Sequence, residues 1–144
     1  MSTNGTYTTG RDVTLNIITP SGELILPGLK NFSADPFYTD LKSKLITGRS
    51  IFDIIPDGWK GMFQLDRFNR DVDNYFAALE SNYFQGIATK KATILETINE
   101  TDGSISQWRF VEVTLKLDKA GEFSGDKQVE QSISWMSSER KKVQ

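Results

Sequence analysis

The sequence predicts a mainly β domain with one α-helix, a β-sandwich or half-barrel flanked by that helix, with a long loop and terminal arms. Three observations carry this fold class. Asp102-Gly103 lies between two stretches of β-formers, the strongest short hairpin signal a sequence offers. Two later stretches alternate apolar and polar residues: Val111, Val113, Leu115 and Leu117 against Glu112, Thr114, Lys116 and Asp118, then Val129, Ile133 and Trp135 against Gln128, Glu130, Ser132 and Ser134. One polar face on each implies a sheet that covers a core on one side and meets water on the other. Finally, only Arg70–Gly86 shows a strong apolar stripe at helical spacing.

Taken in chain order, residues 1–11 read as a polar N-terminal arm. Val13–Thr19 alternates as a first strand, "PSGE" turns, and Leu24–Leu26 returns. A strand is expected near Leu29–Ala34, followed by a long loop over 36–58 that contains a short strand at Ser50–Ile55 and a Pro56–Gly58 turn. Structureless excursions of that length inside a compact domain are uncommon and usually functional. This one is too rich in aromatic and β-branched residues to be disordered, so a neighbouring subunit is its expected packing partner. Lys60–Phe68 reads as a strand. In the helix, Val72, Tyr75, Phe76, Leu79 and Tyr83 form the packing stripe, Asn69 or Asp71 caps the start, and Gly86 stops it. Phe84 lies off the stripe and is placed to reach a neighbour. With Asp102-Gly103 as a two-residue turn, Leu95 opposes Phe110, Ile94 opposes Val111, Glu96 opposes Arg109 and Thr97 opposes Trp108. Residues 137–144 are expected as a C-terminal arm beyond the last strand.

Composition narrows function by what is missing. The 144 residues suit one domain with a real core, and a net charge of −2 lacks the basic excess of a dedicated nucleic-acid binder. With neither cysteine nor histidine there is no disulfide, no thiolate nucleophile, no Ser–His–Asp triad and no ordinary zinc site. No apolar run approaches the roughly 20 residues of a membrane span. The polar start "MSTNGTYTTGRDV" lacks a signal-peptide pattern, so cytoplasmic synthesis is the expectation.

The remaining motifs do not converge on chemistry. "GWKG" and "AGEFSG" lack phosphate-loop spacing, and "DVDN" lacks the glycine and distal glutamate of a calcium loop. Glu96, Glu112 and Glu130 sit on regular strands, where a solvated or ion-paired role outweighs glycoside hydrolysis. Trp59, Trp108 and Trp135 have no basic groove around them and read as core or interface residues. No catalytic residue, cofactor or metal ligand is assigned, and a non-enzymatic role is expected.

From Pro56 onward the order of elements resembles the tail tube proteins of long-tailed, contractile-type bacteriophages. The carrying text is "PDGWKGMFQLDRFNRDVDNYFAALESNYFQG", "INETDGSISQWRF", "VTLKLDKAGEF" and "QVEQSISWMSSERKKV", the C-terminal two thirds of the chain. Tubes of secretion systems and bacteriocins are near relatives in fold.

The resemblance implies a structural virion protein. Copies would join their sheets into hexameric rings, and the rings would stack around a lumen holding DNA and a tape-measure protein. Sheath, baseplate and tail-terminator proteins are the further partners, and the tail of a virion assembled in the host cytoplasm is the location. Edge joining also disposes of exposed sheet edges. Within this frame Glu112, Thr114, Lys116, Gln128, Glu130 and Ser132 are lumen-lining candidates, giving a polar, mildly acidic surface on which DNA would slide. Phe37, Tyr38, Leu41, Leu45, Ile46 and Arg49 are inter-ring candidates. The alternatives are a baseplate or tail-terminator ring, a secretion or bacteriocin tube, and more remotely a monomeric ligand-binding barrel or a carboxylate enzyme.

Overall fold

The computed structural model describes residues 7–88 and 90–144, so residues 1–6 of the expected N-terminal arm lie outside the described residues. After a 3₁₀ turn at Gly10–Asp12 come β1 (Val13–Thr19), β2 (Gly22–Leu24), β3 (Leu29–Lys44) and β4 (Ser50–Asp66). The helix α1 (Asp71–Phe84) follows, then β5 (Ala92–Asn99), β6 (Ile105–Lys119), β7 (Glu130–Ser137) and β8 (Glu139–Lys142). Among the described residues no helix is long and apolar enough to cross a membrane.

All strand pairs are antiparallel, in the order β2-β1-β5-β6-β7-β4-β3, with β8 also on β6. The sheet does not close. β6 turns its corner: its first half pairs with β5 and β8, its second half with β7. The bend sits at a bulge where Val111 and Glu112 together face Thr93, and Glu112 adopts φ 52, the left-handed region non-glycine residues rarely enter. That bulge switches the alternation. Phe110 is buried with Val113 and Leu115, while Val111, expected on the apolar face, is only half-buried.

The core lies between the two halves of the folded sheet. Trp135 stacks on Phe32 at 5.7 Å between ring centroids and meets Phe110 edge-on at 4.8 Å, and Phe63 tilts against Phe32 at 5.1 Å. Gly61 sits beside this cluster because a Cβ there would collide with the Ser33 carbonyl across the ladder. The helix seals the core from one side with Val72 buried and Tyr75 and Phe76 packed against the cluster. Leu79 is half-buried, but Tyr83 is 72 % exposed and does not join the packing stripe, and its off-stripe neighbour Phe84 is 77 % exposed. Neither expected cap holds: Arg70 is the N-cap residue and makes no side-chain cap bond, while Asn69 Oδ1 accepts from the Asp71 amide in a turn just ahead of the helix. At the other end Gly86, at φ 77, donates to Tyr83 O and Ile87 donates to Asn82 O, a Schellman stop.

Four expectations need correction. Residues 36–58 are not one long loop but the distal parts of β3 and β4, paired from Tyr38–Pro56 to Lys44–Ser50 around a short turn over 45–49. Pro56, Asp57 and Gly58 form no turn; Asp57 is the extra residue of a bulge, its carboxylate accepting from the Thr39 hydroxyl. The Asp102-Gly103 hairpin is offset by one residue from the expected register: Ile94 faces Phe110, Leu95 faces Arg109, Glu96 faces Trp108 and Thr97 faces Gln107. Its loop holds three residues, Thr101 to Gly103, with Glu100 N donating to Ser104 O and Gly103 at φ 91. Lastly, the C-terminal arm contains β8, an ordered strand on β6.

Candidate functional site

The feature that most needs a partner is the distal β3–β4 hairpin. β4 has 17 residues and is thus roughly 55 Å long at ~3.3 Å per residue, but β7 supports it only from Trp59 to Asp66. Beyond Gly58 the two strands stand alone, and an isolated two-stranded ribbon is marginal in water. Every residue from Tyr38 to Asp57 is exposed except half-buried Ser50. Alternation sorts these residues onto two faces. Tyr38, Phe52 and Ile54 lie on the face continuous with the core side, while Leu41, Leu45, Ile51 and Ile55 lie on the other. The Lys42 ammonium sits 5.8 Å from the Phe52 ring centroid. The tip repeats the geometry of the second hairpin: Leu45 N donates to Arg49 O, Gly48 N donates to Leu45 O, and Gly48 has φ 87. Ile46, at that tip, is fully exposed.

Of the inter-ring candidates, Tyr38, Leu41, Leu45, Ile46 and Arg49 lie on this ribbon, Arg49 pairing its carbonyl at the tip. Phe37 sits at its root, half-buried under the Lys60 ammonium at 5.7 Å.

A second surface is the outer face of β6-β7-β4-β3. Register puts Thr114 and Lys116 of β6, Glu130, Ser132, Ser134 and Met136 of β7, and Lys60, Met62 and Gln64 of β4 on this face. Asn31, Ser33 and Asp35 of β3 complete it. Thus Thr114, Lys116, Glu130 and Ser132 share one surface. Glu112 sits at the corner bulge, accepting from Ser138 Oγ at 3.2 Å. Gln128 is on no strand; it lies in the β6–β7 loop. Reasoning from β6 and β7 alone missed the β3 and β4 contributions, although the alternation in "KGMFQL" carried the signal. Acids on this face are matched by bases: Lys30 bridges Asp66 at 3.2 Å and also contacts Glu130, while Lys116 lies 3.7 Å from Asp118. The Lys30 hydrogen bond holds the Glu130 carboxyl below its ordinary range, and Glu130 in turn raises Lys30.

Both edges of this four-stranded sheet are open. β3 pairs only with β4, and β5 leaves β6 after Val113, so Thr114–Lys119 has one unpaired side. Since β6 and β3 run in opposite directions, one copy's β3 set beside another's β6 would continue an antiparallel ladder.

The third feature is a clamp. Arg140 of β8 places its guanidinium 4.0 Å from the Trp59 centroid and 3.8 Å from that of Trp108. Two of the three tryptophans are therefore occupied by a cation of the same chain, and the third, Trp135, is core. Glu96 lies close enough to Arg140 to feel its charge; burial pushes the Glu96 carboxyl up, and Arg140 partly opposes this.

No family model matches the chain, and no curated protein matches its sequence. Solved structures do share its fold. A chain of the anti-feeding prophage cap, the AFP tube terminating cap, superposes with a TM-score of 0.65 at 10% identity, covering 94% of this chain and 89% of that one. A chain of the sheath–tube complex of PVC, an extracellular contractile injection system in its extended state, gives 0.58 at 11% identity, with coverage of 89% and 86%. The SPP1 tail tube gives 0.51 at 12% identity, covering 94% of this chain and 78% of that chain. The fold is that of tail tubes and tube-terminating caps.

Proposed function

We propose that this chain is a structural subunit of a tail-like tube, joining copies edge to edge into rings and stacking the rings through the β3–β4 hairpin. The observation that carries this reading is the hairpin itself: some twenty exposed residues, eight of them apolar, projecting from a body with its own packed core. The two open antiparallel edges supply the lateral joint, and ring closure would cover both of them. A hexameric ring is the expected state, with the outer face of β6-β7-β4-β3 lining the lumen. Its paired charges would neither grip nor strongly repel a nucleic acid, in keeping with a conduit for DNA and a tape-measure protein. We place the assembly in the tail of a virion formed in the host cytoplasm, with sheath and baseplate proteins as outer partners, and read the chain as structural rather than catalytic.

A tube-terminating cap is the second reading, favoured by the likeness to the anti-feeding prophage cap. Negative-stain electron microscopy of the purified chain across a concentration series separates the two. Hollow tubes of stacked rings are expected, rings that never stack would favour the cap, and a monomer at every concentration would contradict both.

A further inference from the structure

We infer that Phe68 and Phe123 form the platform that receives the hairpin of a second copy in the next ring; the inference rests on the stacked-ring reading above. A head-to-tail stack brings two different surfaces together, so the hairpin needs a receptor elsewhere on the chain. Strand direction says where. The hairpin tip lies at the Ser50 end of β4. At the Asp66 end, Glu130 opens β7 opposite Asp66, Arg67 N donates to Val129 O at 2.7 Å, and β6 finishes beside Ser132. The β4–α1 link and the β6–β7 loop therefore emerge together at the end of the sheet opposite the hairpin.

Each of these segments carries one exposed phenylalanine, Phe68 at 68 % and Phe123 at 76 % exposure. Neither contributes to the core cluster. The segments are also tied to each other. Gln131, fully buried, donates through Nε2 to Asp73 Oδ1 at 2.8 Å and to Ala120 O at 3.0 Å, while Arg67 Nε donates to Asp73 Oδ2 at 3.0 Å. One buried amide thus fixes the start of the helix against the start of the loop and holds two exposed aromatics on a firm base.

Each contact is small, but a ring makes one per subunit at once, and linked contacts reinforce one another.

The chain has no cysteine, so pairs can be introduced cleanly. Thr47→Cys with Ser124→Cys, both at exposed positions beside the aromatic contact and outside it, should give, on treating tubes with a short bis-maleimide, a ladder of covalent oligomers extending past the dimer. Either single variant should stop at the dimer. Phe68→Ser with Phe123→Ser should keep rings and an unchanged melting temperature while tube yield falls at least tenfold. Tubes at wild-type yield from the serine variant, or tubes of the cysteine variant that give no ladder, would overturn the platform and leave the tube reading standing. A wild-type chain that never stacks would remove both.

Discussion

The two halves of the β3–β4 pair make a natural comparison within one molecule. They belong to the same strands and the same antiparallel ladder, and both contain aromatic and aliphatic residues. In the proximal half Phe32, Phe63 and Leu65 face a layer of β5, β6 and β7 side chains, and β7 extends the ladder on β4's other side. In the distal half Leu41, Phe52 and Ile54 have the same chemistry and no layer opposite them. A strand's side chains are stabilised by what lies across from them, not by the ladder alone. The distal residues are therefore apolar surface that no layer of their own chain covers, and prolines at Pro36 and Pro56 along the pair limit how freely other strands can add to it.

This contrast can be broken or sharpened by mutation. The largest effect is expected in the proximal half: Phe63→Ala should cost about 3–5 kcal/mol of folding stability, read by urea denaturation of the unassembled chain. Phe52→Ser in the distal half should change that stability by no more than ~0.5 kcal/mol yet sharply reduce tube growth by light scattering. Equal losses from both would mean that the hairpin packs on its own body. The two glycine-closed hairpins offer a matched pair. Gly103→Ala, at φ 91, should destabilise the whole domain by about 1–2 kcal/mol, whereas Gly48→Ala, at φ 87, should perturb only the tip and leave the global midpoint in place. Removing the cation from the clamp with Arg140→Ala should cost roughly 1–2 kcal/mol and speed amide exchange along Trp108–Val111.

The smallest effect concerns pH. Because burial raises the Glu96 carboxyl in the folded chain, that group's contribution is fully present below the unfolded carboxylate range and is lost as pH rises through the folded value. Glu96→Gln should therefore be more stable than the parent at pH 7, by less than ~1 kcal/mol for this half-buried group. The difference should vanish near pH 4, as followed by thermal melting at the two pH values. A parent that is the more stable at pH 7 would show that the attraction to Arg140 outweighs burial.

How much of this was legible depends on the range of the interaction. The β6 and β7 alternation, the helix with its Gly86 stop and the open half-barrel all follow from local period and capping. The hairpin loop differs by one residue from the two-residue expectation because Asp102-Gly103 closes a three-residue loop in which glycine holds the last, left-handed position; "ITGRS" at Ile46–Ser50 uses the same geometry without the Asp-Gly signal. Pro56-Asp57-Gly58 looked like a turn because a bulge on a sparsely supported strand uses the same residues as a turn. The residues proposed for the inter-ring contact nevertheless lie on the exposed ribbon or at its root, since aromatics in a poorly supported segment stand out whether that segment is a loop or a ribbon. The platform at Phe68 and Phe123 had no sequence signal: only antiparallel strand order brings those segments to one end.

Everything above turns on whether the body makes rings and the hairpin stacks them. The direct test replaces Leu41–Phe52 with a tight two-residue turn and images the variant beside the parent by negative-stain electron microscopy at matched concentrations. Hollow tubes are expected from the parent and single six-fold rings from the variant. Tubes of equal length from the variant would show that the hairpin does not stack the rings.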